Sequence, residues 1–514
     1  MIEAEVHYSL HNFLRSQAEA AWPHHLTMAR LVARGLRLGR SALIQVGAGC
    51  GERGRYRLSY LAPALLWPEP VVLVATQEVQ QRLLRVEIPP LQQWLQTKKG
   101  IITGDRLPSP DFQGLLLTSP AAWLAARWQN IGDFPAGIPT LIDGVDDLED
   151  WTRTQLTVSI HPGDWDELMS ACPDRAEAIR SARVQLTKAA FQHPANPYEC
   201  YLISPSEQEI LNSLQQRLEV RATRHEEDPL SLLYSHLPHA WSKFWQRWQM
   251  NNQLRWMTIT RSQGTFSLYC APAEVASALA PIWSRQPVVL IGSALDRETE
   301  APIYRQQLGL PDLTCLKFAG DRHSELIQLY LPDRFPLPNT PQFQAALMQQ
   351  LHSLISIKAI PGLTVVLIGD MPLKSQIGAT LAAEFGSRVQ VEKICLDENG
   401  ILVSGWEFWR QHQDKLPAPA LVAIATLPLP SLENTLVAGR VAYYKSLGKD
   451  WFHLYLLPTA LNELQRAIAP VRYRQGVVAL LDSRVIHRSY GKQVLAALSP
   501  FARSNYLESS LFSQ

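Results

Sequence analysis

The residues best suited to chemistry lie in Gln45–Arg53, QVGAGCGER, which follows the apolar run Ala42–Ile44. Gly47, Gly49 and Gly51 have the spacing of a loop whose backbone N–H groups cradle a phosphate chain. A working loop of this kind continues with Lys, which neutralises phosphate oxygens, and with Ser or Thr, whose hydroxyl holds Mg²⁺. Glu52 and Arg53 stand at those two positions. A carboxylate repels a triphosphate, and a guanidinium cannot replace a metal-binding hydroxyl. Losing one charge-assisted contact costs on the order of 1.5–3 kcal/mol. Arg53, Arg55 and Arg57 are the nearby cations able to restore part of that charge.

A second constellation is TLIDGVDDLED, Thr140–Asp150. An acidic residue at the carboxyl end of a strand is where a phosphate-loop protein holds Mg²⁺, and Asp143 is so placed. The next position, where a second carboxylate would steer the attacking water, is Gly144, so Asp146 is the candidate for that role. The bland reading is a solvated acidic helix start, favoured by the helix dipole.

These groups need elements to hold them. Ala42–Val46, Val71–Ala75, Gly114–Thr118 and Thr140–Asp143 read as strands, with helical patterns between them. That alternation predicts a parallel sheet covered on both faces. Residues 22–40 read as a helix carrying Arg30, Arg34, Arg37 and Arg40 on one face, either a solvated surface or a phosphate-backbone patch. Trp241, Trp245 and Trp248 recur at helical spacing, which favours core packing over base stacking. Further strands are expected at Arg255–Ile259, Thr265–Cys270 and Pro287–Ile291. In the second half they are expected at Thr364–Ile368, Val389–Cys395, Ala420–Ala425, Phe452–Leu456 and Val477–Leu481. Leu331–Phe343 carries four prolines and reads as a stiff connector.

Composition narrows the classes. Lys+Arg is 48 and Asp+Glu 47, so any nucleic-acid binding rests on a local patch and not on net charge. The six cysteines show no CxxC spacing, which gives neither a zinc site nor an iron–sulfur cluster any support. No apolar run has the ~20 residues of a membrane span, and the first residues lack a signal-peptide pattern. A cytoplasmic location with no membrane partner is the expectation.

The two constellations, in this order, resemble the DinG/XPD branch of superfamily 2 helicases. The phosphate loop of that family reads close to EAGTGTGKT and overlays Gln45–Arg53, while its DEAH box overlays DGVD, Asp143–Asp146. Val71–Gln92 resembles the segment whose Thr and Gln lie beside the DNA backbone, here Thr76 and Gln80. Val288–Asp296 resembles TSATL, with Gly292 for the first Thr, and Ala425–Val437 resembles a KLPFPSPxDP element. Phe452–Pro500 resembles the region of QGxGRLIR, LDxR and SYG: Gln465, Arg472, Asp482, Arg484, Ser489, Tyr490 and Gly491 match. The central arginine of QGxGRLIR falls on Ala469, its glycines on Arg466 and Ile468, and FWEGVD survives only as Trp406-Glu407. His24-His25 lie where the family recognises adenine.

The resemblance implies an α/β fold of two RecA-like parallel-sheet domains, the first interrupted by a helical insertion. The expected bounds are 1–150 and 251–330 for domain one, 151–250 for the insertion, 331–343 for the connector and 344–514 for domain two. It implies a nucleotide site of Gly47, Gly49, Gly51, Glu52, Arg53 and Arg472, with Arg472 reaching phosphate or pairing across the cleft. Asp143 would hold Mg²⁺ and act with Asp146, and Arg30, Arg34, Arg37, Thr76 and Gln80 would meet nucleic acid. The substitutions fall on the nucleotide-contacting positions and argue against ATP–Mg²⁺ turnover. The leading expectation is a non-motor protein that binds single-stranded or junction DNA, or a protein partner. The alternatives are an active ATP-dependent DNA helicase using substituted motifs and a structural assembly subunit without nucleic-acid contact.

Overall fold

The computed structural model describes residues 2–17, 22–47, 54–129, 137–219, 236–318, 325–357 and 361–508. Five strands come first: β1 (Ala42–Gln45), β2 (Val71–Val74), β3 (Ile101–Thr103), β4 (Leu115–Thr118) and β5 (Thr140–Asp143). Next are β6 (Val158–Ile160), β7 (Cys200–Leu202), β8 (Gln253–Thr260) and β9 (Thr265–Pro272), then β10 (Val288–Gly292) and β11 (Thr314–Lys317). The second half supplies β12 (Ile327–Tyr330), β13 (Thr364–Leu367), β14 (Val389–Val391), β15 (Ile401–Ser404), β16 (Leu421–Ile424), β17 (Val477–Leu480) and β18 (Phe501–Ser504).

Among the described residues, two of the three sheets are wholly parallel. The first has the order β11-β1-β10-β5-β2-β4-β3 and the second β14-β15-β13-β16-β17-β12-β18. Central strands such as Val71–Val74, Leu115–Thr118 and Leu421–Ile424 are buried at every residue, as strands covered by helices on both faces must be. These are the two RecA-like lobes. In both, loops leave the carboxyl edge of the sheet, the edge where ligands bind in open α/β folds.

The chain forms two compact units. One holds Met1–Leu148, Leu279–Leu429 and Leu456–Gln514, with both parallel sheets; the other holds Glu149–Ala278 and Pro430–Tyr455. The second unit has its own antiparallel sheet, β6-β9-β8-β7, packed with helices. It is therefore α+β where a helical insertion over 151–250 was expected. Residues 253–272 belong to it and not to the first lobe. The alternating burial along β8 and β9 is the signature of a hairpin with one covered face. Trp241, Trp245 and Trp248 are buried in this unit's core on the helix His239–Trp248.

Two further stretches differ from the sequence reading. Phe452–Leu456 is a helical turn running into the helix Leu457–Tyr473, not a strand; a five-residue apolar run does not distinguish the two. The lobes change over between β11 and β12, because β12 pairs with β17 and β18 of the second sheet. The proline-rich stretch 331–343 follows that crossing, and its Phe335 and Phe343 lie in the second lobe's core. Among the described residues, no helix is long and apolar enough to cross a membrane.

Candidate functional site

At the carboxyl edge of the first sheet, β1, β10 and β5 lie side by side, with Gln45 opposite Gly292 and Ile291 opposite Asp143. The Asp143 side chain is almost completely buried, and both its oxygens are engaged. Tyr56 donates its hydroxyl to Oδ1 at 2.5 Å. Tyr60 and Arg57 Nε donate to Oδ2 at 2.8 and 3.1 Å. Tyr56 and Tyr60 sit four residues apart across a 3₁₀ turn and the helix Leu58–Leu66, so both reach the same place. Arg57 also lies 3.8 Å from Glu87, which pairs with Arg82. Burial opposes a charge on Arg57, but the Asp143 carboxylate more than offsets this and raises its affinity for a proton. Burial and then the Asp143 charge push both phenols up, so they remain donors.

Asp146, one turn further on, caps the loop after β10. Its carboxylate accepts from the Ser293 N–H at 2.8 Å, the Ser293 hydroxyl at 2.7 Å and the Ala294 N–H at 2.9 Å. Gly292 makes room for it: an added Cβ there would lie 2.9 Å from Asp146 Oδ2 and 2.4 Å from Leu295. The glycine at the first position of the TSATL-like segment and the aspartate of DGVD thus form one mutually fitted substitution. Asp147 is held by Arg466 of the second lobe, Nη1 to Oδ1 at 2.5 Å and Nη2 to Oδ2 at 3.1 Å. Burial pulls the Arg466 guanidinium down, and the Asp147 carboxylate raises it above its usual value.

Gly47 adopts a left-handed conformation and donates its N–H to Ser293 O at 3.1 Å. Gly49, Gly51, Glu52 and Arg53 lie outside the described residues. Gln45, in the place of the family's glutamate, is buried and ties β1 to the loop after β10, through Glu298 O at 2.9 Å and the Asp296 N–H at 3.0 Å. Arg472 is buried in the second lobe. Its guanidinium donates to the carbonyls of Glu325, Leu498, Ser499 and Pro500. Burial lowers it to about 10, and these contacts staple the end of the chain, with no carboxylate partner among them.

Arg30, Arg34 and Arg37 are exposed on the helix His25–Leu38, whose opposite face is buried; Arg40 is exposed just beyond it. Arg37 is neutralised by Glu3 at 2.7 Å. Thr76 precedes the helix Gln77–Arg82, and Gln80 donates to Ala75 O at 2.8 Å. Both are partly exposed at the carboxyl end of β2. His24 stacks on Phe318, and Trp22 meets the same ring edge-on. His25 is buried against Ser59 at 2.8 Å, and burial lowers it to about 4. Tyr56 and Tyr60 escaped the sequence reading, as did the roles of Arg57 and Arg466. For Tyr56, Arg57 and Tyr60 the only advance signal is the cluster RYRLSY beside the glycine loop.

The fold family implies ATP with Mg²⁺ at this edge. The residues present do not fit the metal. Mg²⁺ demands near-ideal octahedral oxygen geometry, whereas Asp143 already accepts three side-chain donors, one of them a guanidinium. A divalent cation there would have to displace Arg57 or sit against it. Asp146 is committed to backbone and hydroxyl donors.

No family model matches the chain. It is similar to the ATP-dependent DNA helicase YoaA of Haemophilus influenzae, 28% identical over 138 residues, 26% of this chain and 21% of that protein. It is also similar to YoaA of Escherichia coli, 29% identical over 109 residues, 21% of this chain and 17% of that one. The matches thus span about a fifth of the curated relatives' length. Among solved structures, an apo XPD superposes with a TM-score of 0.57 at 12% identity, covering 93% of this chain and all of that one. Xpd4 of S. tokodaii superposes with a TM-score of 0.57 at 12% identity, covering 94% and 100%. The chain thus shares a stretch of sequence with the YoaA helicases and its fold with XPD.

Proposed function

We propose that this chain is a non-motor member of the DinG/XPD branch that binds DNA, single-stranded or at junctions, without sustained ATP turnover. The observation that carries this reading is the Asp143 carboxylate, whose oxygens are occupied by Tyr56, Arg57 and Tyr60. A phosphate-loop enzyme needs that carboxylate for its metal. The DNA part of the reading draws on the curated relatives, which are DNA helicases. It also draws on the exposed face of Arg30, Arg34 and Arg40, where phosphate contacts would bind without reading sequence.

The test is steady-state ATP hydrolysis with Mg²⁺, with and without single-stranded DNA, beside fluorescence-anisotropy binding of single-stranded and forked DNA over a salt series. The expected result is salt-sensitive binding with no DNA-stimulated hydrolysis. DNA-stimulated turnover would sink the non-motor reading, and absence of binding at low salt would leave a protein scaffold instead.

A further inference from the structure

In a nucleotide-driven two-lobe machine the phosphates and their metal draw cations from both lobes into the cleft, so that closure depends on the ligand. This chain carries both halves of such a bridge on its own side chains. Asp147 stands on the 3₁₀ turn Val145–Asp147 after β5, in the first lobe. Arg466 stands on the helix Leu457–Tyr473 of the second lobe. Their contact is bidentate and partly shielded, with side chains 32% and 22% exposed. Asp146 adds negative charge on the first-lobe side, and Glu463 faces Arg466 from its own helix. Two parallel N–H···O bonds fix orientation as well as distance.

Arg57 likewise faces Asp143 with its own positive charge, so that carboxylate too is neutralised by the chain itself. We propose that the Asp147–Arg466 pair is a built-in latch that holds the two parallel-sheet lobes in one fixed arrangement without nucleotide, Asp147 serving Arg466 as an internal anion in place of a phosphate. Because the anion is part of the chain it does not leave, unlike a bound phosphate that must be released each cycle. The inference rests on this ion pair and not on the absence of ATP turnover, so either can fail alone.

The test is pulsed dipolar spectroscopy on the full chain with its native cysteines replaced. One spin label is placed at Gln93→Cys in the first lobe and one at Glu384→Cys in the second, both exposed positions. The expected wild-type distribution is a single narrow distance, unchanged by Mg-ATP. Asp147→Asn and Arg466→Ala should each broaden or lengthen it, with the open population rising about tenfold or more, as expected for loss of a charge-assisted pair. The exchanged pair, Asp147→Arg with Arg466→Asp, should restore the narrow distance, which a merely structural role for either side chain would not do.

A broad wild-type distribution, a distance that shortens on adding Mg-ATP, or single variants that leave it unchanged would each overturn the latch. Should a single variant not fold, raising salt with the wild type is the substitute. A partly exposed pair is screened, so the distribution should broaden between low salt and ~1 M, and a distribution indifferent to salt would count against the latch.

Discussion

At the residue scale, the carboxylates at the first-lobe edge are paired within the protein. Arg57 and Asp143 are both buried, at 8% and 3% exposure. Removing one partner of a buried pair strands the other charge and costs about 3–5 kcal/mol. Arg57→Met should therefore lower the unfolding free energy by about that amount in urea titration, and Tyr60→Phe by about 1–2 kcal/mol. A neutral result for Arg57→Met would mean that Asp143 has an alternative partner. His25 gives a pH prediction. Its folded value near 4 lies below the usual 6.5, so the unfolded chain binds the proton more readily between those values. Its contribution is intact above about pH 6.5 and is lost as pH falls towards 4, amounting to about 2 kcal/mol by pH 5. His25→Gln should flatten that part of the stability–pH curve relative to wild type, and parallel curves would refute the assignment.

At the element scale, Arg472 shows how a matching residue can serve an architectural end. It lies in the last turn of the helix Leu457–Tyr473 and holds the carbonyls that lead into β18, an edge strand paired only with β12. Arg472→Met keeps much of the apolar stem but leaves buried carbonyls unpaired. The expected loss is about 2–4 kcal/mol, with amide exchange accelerated first across Phe501–Ser504. Uniform acceleration throughout the second lobe would show instead that the staple supports the whole sheet. The same scale explains the altered second unit: β8 and β9 alternate in burial, so they pair as a hairpin and draw residues 253–272 out of the parallel lobe.

At the scale of the whole molecule, a net charge of +1 means that the proposed DNA binding rests on a local surface. Arg37 is already paired with Glu3, so Arg30, Arg34 and Arg40 are the more available cations of that helix face. Replacing these three with Ala should reduce the slope of log affinity against log salt by about one per lost phosphate contact, with little change in DNA sequence preference. An unchanged slope would place the DNA track elsewhere.

Much of the first lobe's sheet can be read from the residues alone. Thr140–Asp143 appears with the expected bounds, and Ala42–Val46, Val71–Ala75 and Gly114–Thr118 are each trimmed by one residue, because fully buried parallel strands leave continuous runs of branched apolar residues. The resemblance to the DinG/XPD branch was legible because its motifs occur in order across both lobes. What those substitutions do was not legible. Glu52 and Arg53 depart visibly from the Lys and Ser or Thr of a working loop, but the partners of Asp143, Asp146 and Asp147 lie 83 to 87, 147 to 148 and 319 positions away in the chain. Only the tertiary structure brings a tyrosine pair, a serine loop and a second-lobe arginine onto three neighbouring carboxylates. Local patterning records which face of an element is apolar, whereas a carboxylate's partner is set by how the sheets and helices meet.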